Sequence, residues 1–296
     1  MELRHLRYFV AVAEEGSVNR AARRLLISQP ALSRQIVQLE RELGQRLLER
    51  TTRGIRLTSA GQALLPHANH LLTMADATRE TVAGASAVRQ PVTLGVPPGT
   101  DGTWLIALVD TVRARLPHVA LEYVEATSSD QLRLLGGGRL DLGLVHRPPP
   151  DPLRAWELRR DELGIAVRPG HPLAERDGFG LADLDGVRIL VHAQDRPTAE
   201  QYGLGAAART AGIRPYWHFA QFTEHVLAHA HATGCDAALV VAHAADRLPG
   251  WRWGQLADLP LRMTTWLVAV PDARPVVQET AVVMGLSGMV DSDASE

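Results

Sequence analysis

The chain has 296 residues, 46% of them hydrophobic and 22% charged, enough to bury a sizeable core in about two domains without disulfides or metals. Its one cysteine, Cys235, excludes an intrachain disulfide framework and any paired-cysteine redox or zinc motif. All 31 basic residues are arginine, which removes the phosphate-loop lysine, the pyridoxal Schiff base and the kinase strand lysine together. The net charge of −2 is unevenly spread: residues 1–60 hold eleven arginines against six glutamates, a charge of +5, which leaves −7 for the remainder. A basic head on an acidic body predicts a polyanion-binding module joined to a domain that binds none. No apolar run reaches membrane-spanning length, and Met1-Glu2-Leu3-Arg4-His5 does not open a signal peptide, so the expectation is a cytoplasmic protein with no membrane partner.

Leu6, Phe9, Val10 and Ala13 recur at helical spacing and predict a first helix over roughly residues 3–15, stopped by Gly16. A short second helix follows, with Val18, Ala21, Ala22 and Leu25 inward. Ser28 is placed to cap a third, whose first turn tolerates Pro30 and whose buried stripe is Leu32, Ile36, Leu39 and Leu43. Two helices joined by a tight turn form a helix-turn-helix, and the third helix is its reader. The face opposite the leucines shows Gln29, Pro30, Ser33, Arg34 and Gln38, with Ser28 at its start. Glutamine, arginine and serine suit base edges and phosphates, and proline an apolar contact with a thymine methyl. Leu47 to Thr58 reads as a two-stranded wing turning near Arg53-Gly54, which places Arg53 to enter a minor groove.

From Thr58 to about Val88, Leu64/Leu65, Ala68, Leu71/Leu72, Ala75 and Val82 approach a 3.5-residue repeat, a dimer seam candidate, with Pro66 expected to kink or loosen the helix. Beyond Pro91 the strands Val92–Val96, Ala120–Val124 and Leu140–Val145 alternate with helices, which predicts a parallel sheet. A second series begins near Leu163, with strands near 187–191, 217–221, 237–241 and 265–270 and a last helix near 275–290.

The runs Ala21-Ala22-Arg23-Arg24-Leu25, Ile27-Ser28-Gln29-Pro30-Ala31-Leu32-Ser33-Arg34-Gln35-Ile36, Leu39 to Gly44, Leu48-Glu49-Arg50 and Leu57-Thr58-Ser59-Ala60-Gly61 resemble the DNA-binding domain of LysR-type transcriptional regulators over about 65 residues. Beyond residue 90 the resemblance rests on layout. It implies an α/β chain with a winged helix-turn-helix at 1–58, a linker and dimerisation helix at 59–90, and a periplasmic-binding-protein-like effector domain at 91–296. That domain would divide into subdomain I, about 91–160 and 266–290, and subdomain II, about 161–265. The implied partners are double-stranded operator DNA, a small organic effector and further copies of the chain as a homodimer or homotetramer, with no cofactor.

Open α/β sheets bind ligands beyond the carboxyl ends of their strands. That geometry selects Thr100, Thr103, Ser128, Ser129, His146, Arg147, His192, Gln194, Phe222 and Thr223 as effector-binding candidates. For Thr103 and Thr223, simple helix capping competes with ligand contact. Donors outnumber carboxylates in the set, which favours an anionic or polar aromatic effector, although Asp101 or Asp195 would reverse the local sign. His225 and His229, four apart, leave open a metal-responsive regulator on the same scaffold, and Cys235 a redox-responsive one. An α/β enzyme with a basic appendage lacks a GxSxG elbow, a carboxylate pair at a recognisable spacing and a cofactor fingerprint. Gly136-Gly137-Gly138 resembles a phosphate loop only superficially, because it ends a helix.

Overall fold

The computed structural model describes residues 1–51, 54–84, 89–176, 178–192, 203–220 and 225–292, with the backbone alone at 76–84 and 288–292. The head consists of α1 (Leu3–Glu15), α2 (Val18–Arg24), α3 (Gln29–Leu43) and the ribbon β1 (Leu48–Thr51) and β2 (Gly54–Leu57). Ser17 caps α2 and Ser28 caps α3, each hydroxyl accepting from an amide three residues on, with Pro30 in the first turn of α3 as expected. Leu6, Phe9, Val12, Ala21, Leu32, Ile36, Leu39 and Leu47 form one core. Each large side chain buried there contributes about 1.5–3 kcal/mol. Leu43, read as the end of the buried stripe, is instead exposed at the last turn, while Val12 is fully buried.

α4 (Ser59–Gly84) runs on as one helix through Pro66. Ala68 is fully buried in the head's core, and Leu64, Leu65 and Leu72 pack against that same core. The apolar stripe read as a dimer seam therefore faces the head for much of its length, and Leu71 and Met74 are the exposed apolar residues beside it.

The body is a nine-stranded sheet built from β3 (Gln90–Val96), β4 (Val119–Glu125), β5 (Leu142–Val145), β6 (Arg154–Val167), β7 (Arg188–His192), β8 (Tyr216–Ala220), β9 (Ala237–Val241), β10 (Arg252–Gly254) and β11 (Leu261–Ala269). The strand order is β4-β3-β5-β11-β6-β9-β7-β8, with β10 pairing beside β6. β3 pairs in parallel with β4 and β5, and β7 with β8 and β9, giving two parallel halves. The long antiparallel pair β6 and β11 belongs to both halves, with a register shift between Thr265 and Trp266 where the chain changes halves. In the first half, α5 (Gly102–Arg115) and α9 (Pro275–Ser292) share one core, and α6 (Ser128–Gly136) packs into a smaller one with Val145 and Val268. In the second half, α7 (Leu204–Thr210) and α8 (Val226–Thr233) occupy separate cores in the same way.

Candidate functional site

The head presents α3 as the sequence predicts. Pro30, Arg34 and Gln38 are exposed, and Val37 on the same face, which the sequence reading did not select, is 44% exposed. Gln29 Nε2 donates to Ser33 Oγ at 2.9 Å, and Gln38 Nε2 to Glu42 Oε1 at 3.2 Å, so these side chains line the face already oriented. The Ser28 hydroxyl is engaged by the Ala31 amide, which makes Ser28 the cap of the reading helix. The wing is fastened to the turn after α1 by the Ile55 amide on the Gly16 carbonyl, 2.9 Å. Arg56 is tied to Glu49 across the ribbon and Arg24 to Glu14, while Arg34, Arg46 and Arg50 stay exposed. Arg53 lies outside the described residues.

In the body, strand register fixes where the two halves meet. Val145, at the end of β5, is level with Trp266 and therefore with Glu157 of β6, whereas Val241, at the end of β9, is level with Leu163. The carboxyl ends of both parallel sets thus converge on residues 158–162 of β6. Helix N-termini follow the same strand ends, since α5 begins after β3 and α6 after β4.

The floor of this cleft is charged. Arg159 Nε lies 2.6 Å from Asp161 Oδ1, its Nη1 lies 3.0 Å from Asp101 Oδ2, and its guanidinium sits 5.6 Å from the Trp104 ring centroid. His243 Nδ1, after β9, is 3.7 Å from Asp161 and buried without a hydrogen bond. Burial of Asp101 raises its pKa, but the Arg159 guanidinium and the Trp104 and Thr103 amides outweigh that and hold it below the usual carboxylate range. Arg159, Asp161 and His243 are absent from the sequence-predicted set, and Asp101 enters it only as a charge that would reverse the sign of the cleft; the Arg159–Asp101 pairing spans 58 positions.

The predicted effector residues fall around this floor, with differing roles. Ser128 Oγ accepts from the His146 amide at 3.2 Å, and Ser129 Oγ from Arg147 Nη1 at 3.3 Å, which brings four of them together at the start of α6. His146 as a whole residue keeps some exposure, but its ring is crowded by protein. That desolvation, helped by the nearby His243 and His192, drives its pKa down to about 4 against the pull of Asp161. His146 follows β5 in one half and His192 ends β7 in the other. Thr100 spends its hydroxyl on the Pro97 carbonyl at 2.7 Å. Thr103 is not the cap of α5: Asp101 takes that role by accepting from the Thr103 and Trp104 amides, and Thr103 is exposed. Gln194, Phe222 and Thr223 lie outside the described residues, as does Asp195.

Among the described residues no group of three or more His, Cys, Asp or Glu is placed to hold a metal. His225 stands at the cap of α8, ahead of its first turn, and Cys235 is buried with the Thr233 hydroxyl 3.1 Å from its Sγ. No helix among the described residues is long and apolar enough to cross a membrane.

Residues 3–62 match the model of the bacterial regulatory helix-turn-helix proteins of the lysR family, and residues 85–281 that of the LysR substrate binding domain. The chain is 37% identical over 206 residues to the transcriptional regulator BudR of Raoultella terrigena, covering 67% of this chain and 70% of BudR. With AlsR of Bacillus subtilis the identity is 33%, over 73% of this chain and 72% of that protein. Among solved structures, CbnR, a LysR family transcriptional regulator, aligns with a TM-score of 0.55 at 26% identity over 96% of this chain and all of its own. Full-length BenM gives 0.56 at 27% identity over 99% and 98%. The chain therefore belongs to the LysR-type transcriptional regulators, with an N-terminal DNA-binding helix-turn-helix and a C-terminal α/β effector-binding domain.

Proposed function

We propose that the protein is a cytoplasmic, non-catalytic regulator whose α3 and wing read an operator duplex and whose affinity for it is set by a small organic effector in the cleft over β6. Ser28, Gln29, Pro30, Ser33, Arg34, Gln38 and Arg53 make the DNA contacts on this reading, with Ser28 acting as cap. The observation that carries the effector half is the convergence of both sets of strand ends, and of His146, His192 and His243, on the Arg159–Asp161 floor. A ligand there touches both subdomains at once and biases their closure.

The chemistry favours an anionic or polar aromatic ligand. Arg159 pairs with both Asp101 and Asp161 and offsets one of their two charges, while Arg147 and the Ser128 and Ser129 hydroxyls stand at the positive end of α6 and offer the donors for an anion away from that floor. Two copies, or four, are held together in part through α4, where His67, Leu71 and Met74 remain exposed on one face. Thermal-shift screening of the full chain against small metabolites tests the effector reading. An anionic hit at 100 times its Kd adds about 2.7 kcal/mol of stability, and Arg147→Ala abolishes that gain. Hits confined to cations, or anions that bind Arg147→Ala unchanged, contradict it.

A further inference from the structure

The turn that follows α6 is seated on the DNA-binding head. Gly138 has a φ of +66°, and a Cβ on it would come within 2.7 Å of the Pro66 carbonyl oxygen, so the turn lies backbone to backbone against α4. Asn69 Nδ2 of α4 donates to the Gly137 carbonyl. Arg139 then places Nη1 3.3 Å from Glu14 Oε1 on α1, and the other oxygen of Glu14 holds Arg24 of α2 at 2.6 Å. Alongside, His70 Nε2 of α4 stands 3.3 Å from Oδ1 of buried Asp141, whose Oδ2 accepts from the Thr93 amide and from Arg274.

The opposite end of α6 is in the cleft, where Ser128 and Ser129 hold His146 and Arg147. Between the two ends the helix is clamped to the sheet. Gln131 is fully buried over Gly95 and Gly143, where an added Cβ would meet its Oε1 at 2.7 and 2.9 Å, and its Nε2 donates to the Ala126 carbonyl. Nine residues make a rod of roughly 13 Å, too short to bend, so a tilt of the rod about the Gln131 contact moves the turn at 137–139 when the serines move.

We propose that α6 carries the state of the effector cleft to the DNA-binding head, with Gly137 and Gly138 as its bearing on α4 and Arg139 as its contact with Glu14. This rests on the proposed function in one respect, that a ligand occupies the cleft beside Ser128 and Ser129. The contact is built from glycine backbone, one amide and a half-exposed ion pair, with the His70–Asp141 pair beside it, so it can shift without exposing a large apolar area. Glu14 is shared between Arg139 and Arg24, so a movement of the turn is felt at α2, next to the reading helix.

Coupling between two sites is reciprocal, so DNA can serve as the ligand. The probe is the duplex that the full-length protein selects from a randomised pool, and the readout is hydrogen exchange of the 126–132 amides with and without saturating duplex. Wild type is expected to change exchange there at least threefold. Arg139→Glu and, more mildly, Glu14→Gln abolish the change while α3 is still protected by DNA, and Arg139→Lys, which keeps the charge, retains it. A wild type whose α3 is protected with no change at 126–132, or a change that survives in both Arg139→Glu and Glu14→Gln, overturns the link. Failure to select any duplex overturns the DNA-binding reading first and the link with it.

Discussion

Arg159 and Asp101 stand 58 positions apart in the chain and meet at 3.0 Å across the junction of the two half-sheets. Asp101 also caps α5, so one side chain fixes a helix N-terminus of one half to the strand shared with the other. Both side chains are about three-quarters buried, which places the pair between the weak surface case and the costly buried one. Asp101→Asn keeps the cap acceptor and removes the charge. It is expected to cost about 1–2 kcal/mol, a fall of several degrees in Tm for a domain of this size. An unchanged Tm by scanning calorimetry would show that the ion pair contributes nothing.

His146 gives the stability a pH dependence. Its pKa is pushed from 6.5 in the unfolded chain to about 4 in the fold, chiefly by burial. Between those values the unfolded state binds the extra proton. The contribution is therefore complete above about pH 6.5 and lost progressively as pH falls toward 4, up to about 3 kcal/mol. His146→Gln should flatten the Tm profile over pH 6.5–4.5 relative to wild type; parallel profiles would contradict the assignment.

Leu26 sits at φ 56° and is 92% exposed in the turn between α2 and α3. A branched apolar side chain gains nothing there and strains the left-handed backbone, which asparagine adopts more readily. Leu26→Asn is expected to stabilise the protein by about 1 kcal/mol. A lower midpoint in urea unfolding would contradict the strain.

Adjacent leucines on α4 should behave differently. Leu72 packs against the head's core while Leu71 is 46% exposed. Leu72→Asp is expected to unfold the head, because an unpaired charge in apolar surroundings costs several kcal/mol. Leu71→Asp is expected to leave the melting transition in place and weaken self-association in sedimentation experiments. Equal melting curves for the two variants would move the seam back to Leu72.

Local chemistry made the head legible. Gly16, Ser17, Ser28, Pro30 and Gly54 mark their own elements, and the apolar strand runs of the body announce themselves by composition, whereas the charged first part of β6 and the short β10 do not. What stayed hidden depends on partners distant in the chain. A 3.5-residue repeat in α4 shows that an apolar stripe exists, not that Ala68 and Leu72 face their own head rather than a second copy. Whether Asp101 or Thr103 caps α5 turns on a two-residue difference in where the helix begins. Strand ends point to His146 and Arg147, while Arg159 and Asp161, in mid-strand, carry no turn or cap signal and join the cleft only because β6 crosses between the halves.

The most direct test of the account is the ratio of affinities of the full-length protein for its selected duplex and for random duplex, at fixed salt, in wild type and Arg34→Ala. Wild type is expected to prefer the selected duplex by at least about 10³. Loss of a bidentate base contact should cut that preference by about 1–3 kcal/mol, roughly five- to 150-fold. A wild type with no preference, or an Arg34→Ala variant that keeps the whole of it, would contradict the reading of α3 as the element that recognises DNA sequence.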